Sequence, residues 1–388
     1  MGKKQRRMEV FDGRARYYPS DKLTLEELSY WIAFSRVMGI GPVRFQLLLD
    51  HFQEDVARAW YAPSSELTRI GLDQRTVDSF IRQRASIDPD HELERLDRLR
   101  IQVITWKDAC YPPLLRKIDY APPVLYACGQ LTEDDLHYSI GIVGTRKMSS
   151  YGRQVTEHFT KELVKGKITI VSGLALGVDT VAHNTALDNG GRTIAVLACG
   201  LDTIYPPSNY HLAKHIIDSG RGVILSSFPL GIKPEAGNFP ARNHIIAGLS
   251  LGILVTEAPL KSGALITANS ALVQGREVYA VPSSIFSNSG AGVNKLIRDG
   301  AHPVTEVSDI LEHLNIHTVP LPDASVLREP ESEEERIVLG LLSREPRHID
   351  DLIRDTELAP NIVTSTLTIL ELDGLVKQLG SMQYVRCT

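Results

Sequence analysis

Tyr138-Ser-Ile-Gly-Ile-Val-Gly-Thr-Arg146 reads as a strand that stops abruptly. Ile140, Ile142 and Val143 form a short apolar run rich in β-branched residues, which suits a buried strand. Gly144-Thr145-Arg146 breaks it, and Ser149-Ser-Tyr-Gly152 leads into a helical pattern carried by Val155, Phe159 and Leu163. A strand, a tight turn and a helix N-terminus form a geometry that holds anions: backbone N–H groups point outward and the helix dipole adds positive potential. Arg146 adds a planar fork of donors suited to phosphate.

The same pattern recurs downstream. Ile168-Thr-Ile-Val-Ser172 runs into Gly173-Leu-Ala-Leu-Gly177, and Thr193-Ile-Ala-Val-Leu197 into Cys199-Gly200. Val223-Ile-Leu-Ser226 runs into Phe228-Pro229, and Leu251-Gly-Ile-Leu-Val255 into Glu257-Ala258 and Lys261-Ser262-Gly263. Strands alternating with helix-length segments predict an α/β fold, a Rossmann-like doubly wound parallel sheet. Ligands of such sheets bind beyond the carboxyl ends of the strands, where these Gly and polar clusters fall.

At 388 residues the chain is long enough for two or three domains. With 43% hydrophobic and 23% charged residues it has an ordinary globular composition. Cys110, Cys128, Cys199 and Cys387 lie far apart with no CxxC, which speaks for a reducing cytoplasmic setting and against a structural metal. No secretory signal is read at the N-terminus and no membrane span in the chain, so no membrane insertion is expected. Because the formal net charge is −5, any nucleic-acid surface has to be a local concentration of cations.

Outward from the sheet, residues 1–22 read as a flexible basic arm and 23–98 as a helical domain. Val37-Met-Gly39-Ile-Gly41-Pro42 resembles the turn of a helix-hairpin-helix (or SAM-like) module, whose amides can hold a phosphate. The plain alternative is an αα-hairpin that only packs. Residues 99–315 make the sheet domain, with the Pro-rich stretch 101–131 packed as an edge segment. A Pro-rich, acidic linker spans 316–332. Residues 333–388 follow the helix and strand order of a winged helix, with a turn at Gly380. Its recognition helix, Pro360 to Asp373, carries no Lys or Arg, so it reads as a protein-contact or structural piece.

Several chemistries are excluded by what the turns lack. There is no G-x-G-x-x-G after the first strand, no Walker loop and no G-x-S-x-G elbow. Asp179 and His183, four apart on one helix face, read as braces of the second loop. Glu257 at a strand end has the position of a general acid but lacks a paired carboxylate. The enzyme reading that stays open is a nucleotide-binding or nucleotide-hydrolysing site built on these three residues.

Ile142-Val-Gly-Thr-Arg146, Ile170 to Asp179, Ala182-His183, Gly200 to Pro206, Phe239-Pro-Ala-Arg-Asn243 to Gly248 and Glu257 to Gly263 together resemble the DNA-processing protein A family (DprA, also called Smf). Ala291-Gly-Val-Asn294 and Gly300-Ala301 extend the match. The resemblance covers about 100–314, and the flanking parts fit the family's three-module layout. It implies a non-enzymatic, cofactor-free binder of single-stranded DNA that protects incoming DNA in natural transformation, displaces single-strand-binding protein and loads RecA. It also implies a homodimer formed through the sheet domain. By motif position Gly144, Thr145, Arg146, Ser172, Gly173, Arg242, Asn243, Lys261, Ser262 and Gly263 line the binding pocket. Phe239 or Phe228 is the candidate platform for stacking bases. Ser227 stands where the family usually has Glu, which removes a carboxylate from that loop.

Overall fold

The computed structural model describes residues 23–316, 330, 332–343, 347–373, 375–378 and 382–386. The basic arm, most of the linker and the turn at Gly380 lie outside the described residues. The chain divides into two compact units, the first made of residues up to Val304 except Lys165–Lys167, the second continuing from Thr305.

The first unit is built on one mixed sheet. Its strands, in chain order, are β1 (Gln102–Thr105), β2 (Val124–Gly129), β3 (Ser139–Val143), β4 (Thr169–Ser172), β5 (Thr193–Val196), β6 (Gly222–Ser226), β7 (Gly252–Val255), β8 (Glu277–Ala280) and β9 (His302–Pro303). In space they run β1-β2-β6-β5-β4-β3-β7-β8-β9. From β6 to β9 every neighbouring pair is parallel. The chain winds outward from β3 through β4 and β5 to β6, then returns to the other side of β3 as β7. That reversal puts a topological switch point between β3 and β7, where ligands of open α/β sheets bind. The edge segment 101–131 enters the sheet itself: β1 and β2 pair antiparallel with each other and β2 with β6.

Alternating side chains build two cores, as a period of two along a strand requires. Ile194, Val196, Val223, Leu225, Ile253 and Val255 face one side, under helices Asn238–Leu249 and Gly263–Val273. Ala195, Ile224, Val103 and Tyr126 face the other, under helix Tyr210–Asp218 and the N-terminal helices. Trp31, Phe34, Phe45, Leu48, Trp60 and Phe80 from those helices lie in that same core. The helical region therefore does not carry a separate core. Ser35 Oγ meets Tyr126 Oη at 2.6 Å, and Arg36 Nη1 donates to Leu230 O at 2.9 Å across the same boundary.

The hairpin expected at Gly39-Ile-Gly41 is present. Gly39 takes φ +101°, a left-handed backbone, and Gly41 starts helix Pro42–His51 with proline in its first turn. Arg44 beside the turn is committed to Asp73 at 2.9 Å and to Gly39 O at 2.7 Å.

The second unit holds helices Glu333–Leu341, Ile349–Thr356 and Pro360–Leu372 with strands β10 (Arg347–His348), β11 (Val376–Gln378) and β12 (Gln383–Arg386), ordered β10-β12-β11. Val338, Leu352, Val363, Leu367 and Leu370 form its core. This is the winged helix, with β10 added to the two expected strands. On the recognition helix, Thr364, Ser365 and Thr368 turn their hydroxyls back to the carbonyls of Pro360, Ile362 and Thr364.

Because the N-terminal helices and the sheet share a core, Phe34→Ala is expected to destabilise them together by about 3–5 kcal/mol. Denaturant unfolding followed by the fluorescence of Trp31, Trp60 and Trp106, all in the first unit, should give one transition, shifted to lower denaturant.

Candidate functional site

At the switch point the ends of β3 and β7 are joined by a hydrogen bond from Thr145 N to Glu257 O at 2.7 Å. Beyond them opens a pocket of about 610 Å³. Its walls include Gly144-Thr-Arg-Lys147 after β3, Phe239, Arg242 and Asn243 on helix Asn238–Leu249, and Lys261-Ser-Gly263 at the start of helix Gly263–Val273. The expected residues from three separate loops thus meet around one cavity.

Their roles divide by burial. Arg146, Lys147 and Lys261 are exposed. Among the described residues the charged ends of these three make no ion pair or hydrogen bond; Arg146 Cζ lies 5.5 Å from the Phe239 ring centroid. Uncommitted cations at a concave surface are what a polyanion requires. Lys147 was not among the residues singled out from sequence, although it directly follows Gly-Thr-Arg. Phe239 is half-buried, with both Arg146 and Arg242 over its ring. Phe228 is half-buried and absent from this pocket wall.

Other expected contact residues are turned inward. Ser172 is fully buried and donates its hydroxyl to Ile142 O at 2.7 Å, so that hydroxyl does not face the pocket. Arg242 is 5% exposed, lying in the floor rather than at the rim. Its Nη1 donates to Gly173 O and, at 2.9 Å, to Val196 O, while Nε donates to Asn243 Oδ1 at 3.0 Å. Asn243 Nδ2 in turn reaches Gly263 O at 3.3 Å, bracing two helices against each other.

Two of the turns expected to hold an anion already contain one from the chain itself. After β3, Glu257 Oε2 accepts from Ser149 N at 2.8 Å, at the start of helix Ser150–Lys165. Its Oε1 accepts from Ser149 Oγ at 2.7 Å and Ser289 Oγ at 2.5 Å. After β4, Asp179 Oδ2 accepts from Gly173 N at 3.1 Å and Ala175 N at 3.2 Å. The Gly173 amide, expected to face a phosphate, therefore serves Asp179. The third turn differs: Ser262 Oγ caps Ala264 N at 3.2 Å, and no acidic residue stands in the first turn of helix Gly263–Val273. That N-terminus faces the pocket with Lys261 beside it.

The three residues of the enzyme reading are all structural in their bonding. Burial holds the Asp179 carboxyl above its usual range, opposed only in part by Arg242 and the Ala175 and Gly173 amides. His183 is fully buried: Nε2 accepts from Leu174 N at 3.3 Å, which leaves the proton on Nδ1, 2.7 Å from Thr193 Oγ1. Burial, with Arg242 nearby, lowers its pKa to about 3.

That shift makes stability depend on pH. Folded His183 stays neutral down to about pH 3, whereas an unfolded histidine binds its proton near pH 6.5. Between these values the unfolded chain carries the extra proton, so this group lowers stability as pH falls from 6.5 toward 3, by up to about 1.4 kcal/mol per pH unit. Denaturation at pH 7, 5.5 and 4 measures the slope, and His183→Gln should reduce it.

Among the described residues no helix is long and apolar enough to cross a membrane. The family model for DNA recombination-mediator protein A matches residues 102–315, and that for the DprA winged helix domain matches 322–381. Protein Smf of Synechocystis is 38% identical, over 93% of this chain and 99% of that protein. Among solved structures, DNA processing protein A from Streptococcus pneumoniae superposes with a TM-score of 0.65 at 34% identity, over 76% of this chain and 100% of the other. DNA processing protein A from Helicobacter pylori, described for its single-stranded DNA binding mode, matches with a TM-score of 0.50 at 29% identity, over 56% of this chain and 96% of the other.

Proposed function

The chain belongs to the DNA recombination-mediator protein A family, with its role in DNA processing and recombination, and from that premise we propose that its switch-point pocket grips single-stranded DNA without turning it over. The observation that carries this reading is the set of three uncommitted cations, Arg146, Lys147 and Lys261, around one pocket of an otherwise acidic chain. Such a surface binds sugar–phosphate without reading sequence. The half-buried Phe239 ring beside Arg146 supplies a face for a base, and stacking is worth about 1–3 kcal/mol per base. The Helicobacter relative's single-stranded DNA binding supports the same ligand here.

In this reading the chain acts in the cytoplasm as a homodimer. It protects incoming single strands in natural transformation and hands them to RecA in place of single-strand-binding protein. The bonding of Asp179, His183 and Glu257 favours binding over hydrolysis, because each is committed to holding a loop.

A labelled dT oligonucleotide and its duplex counterpart, titrated by fluorescence anisotropy at two salt concentrations, test the proposal. Tight, salt-sensitive binding with preference for the single strand is expected. Arg146→Ala should weaken it and lower the slope of log K against log salt by about 0.7, the value for one phosphate of a single strand. Equal binding of duplex and single strand, or none, would overturn the proposal.

A further inference from the structure

Beneath the pocket floor one peptide group is held from both sides. Gly173 N–H donates to Asp179 Oδ2, and Gly173 C=O accepts from Arg242 Nη1. Through Val196 O and Asn243 Oδ1 the same guanidinium also ties the end of β5 to helix Asn238–Leu249. Its Cζ lies 5.7 Å from the centroid of the Phe239 ring, which also lies under Arg146. A continuous chain of contacts thus runs from buried Asp179 through Gly173, Arg242 and Phe239 to the exposed cation Arg146.

From this geometry we infer that Arg242 is a positioning residue for single-strand binding, acting through the Gly173 loop and the Phe239 ring on Arg146 without itself touching a phosphate. The inference rests on the reading given under Proposed function. Arg242 is suited to this role because its planar fork meets several acceptors in fixed directions, which the point charge of a lysine does not reproduce. A phosphate drawing the guanidinium outward would strand the carbonyls of Gly173 and Val196, buried acceptors that need a partner. Gly173 fits the same logic. A Cβ at that position would lie 2.0 Å from Arg242 Nη1 and 2.4 Å from Cζ, and the three nearest obstacles all belong to Arg242. Alanine at 173 is therefore blocked by the guanidinium itself.

Arg242→Lys, Arg242→Ala, Gly173→Ala and the double variant Gly173→Ala/Arg242→Ala, compared with Arg146→Ala, test the inference. The readouts are dT-oligonucleotide affinity, its salt slope and the thermal unfolding midpoint. Each single change at 242 or 173 should weaken binding roughly tenfold, within the range that a desolvated cation–π support carries. The salt slope should stay at the wild-type value, whereas Arg146→Ala lowers it. Gly173→Ala should cost little once Arg242 is gone, so the double variant should bind like Arg242→Ala. A slope lowered by about 0.7 in either variant at 242 would make Arg242 a phosphate contact and overturn the inference. Wild-type binding by Arg242→Lys, or additive effects in the double variant, would overturn it as well. If Arg242→Ala does not fold, Arg242→Lys and Gly173→Ala decide through affinity and slope. A wild-type chain that binds no single strand overturns the parent reading and this inference with it; salt-sensitive wild-type binding with a failed variant pattern overturns this inference alone.

Discussion

Glu257 stands where the sheet reverses its winding, and its hydrogen bonds hold that reversal together. Its carbonyl takes the Thr145 amide, and its carboxylate takes the Ser149 amide with the Ser149 and Ser289 hydroxyls. One side chain thus links the end of β7, the turn after β3 and the loop after β8. Buried carboxylates survive only when their oxygens are satisfied, and here donors from two segments, the turn after β3 and the loop after β8, do so. The cavity opens just beyond these tied strand ends.

The electrostatics of the pocket follow from that arrangement. An α/β sheet places several helix N-termini along one edge, and each attracts an anion. Glu257 and Asp179 satisfy two of these turns internally, and the start of helix Gly263–Val273 is left facing the cavity. Arg242 lies in the floor near Asp179, while Arg146, Lys147 and Lys261 stand at the rim. Buried charge builds the site, and exposed charge is left for a ligand. This division lets a chain with a net charge of −5 present a cationic groove.

The winged helix follows a different design. Its recognition helix lacks Lys and Arg, and Thr364, Ser365 and Thr368 direct their hydroxyls to carbonyls of their own helix. Ile362, Ile369 and Leu372 are exposed along it. Such a face offers no cation to a phosphate, and by composition it reads as a protein-contact or structural piece.

Strands β3 to β7, the turns at their carboxyl ends and the segments meeting at the pocket were legible in the sequence, because strand period, glycine turns and helix starts are local properties of a few consecutive residues; the short strands β8 and β9 were not read. Arg146 and Lys261 were legible for the same reason: each sits in a turn with no neighbour to claim its charge. Lys147 was equally accessible and was overlooked beside Arg146. What only the tertiary structure decided is which polar groups remain available. Helix Asn238–Leu249 carries apolar residues on all sides, so its sequence does not tell whether Arg242 points to solvent or into the floor. The antiparallel pairing of β1 and β2, and the core that the N-terminal helices share with the sheet, likewise depend on residues far apart in the chain. A donor's identity is written in the sequence, but whether it is already satisfied depends on partners such as Gly173 and Arg242 that come together only on folding.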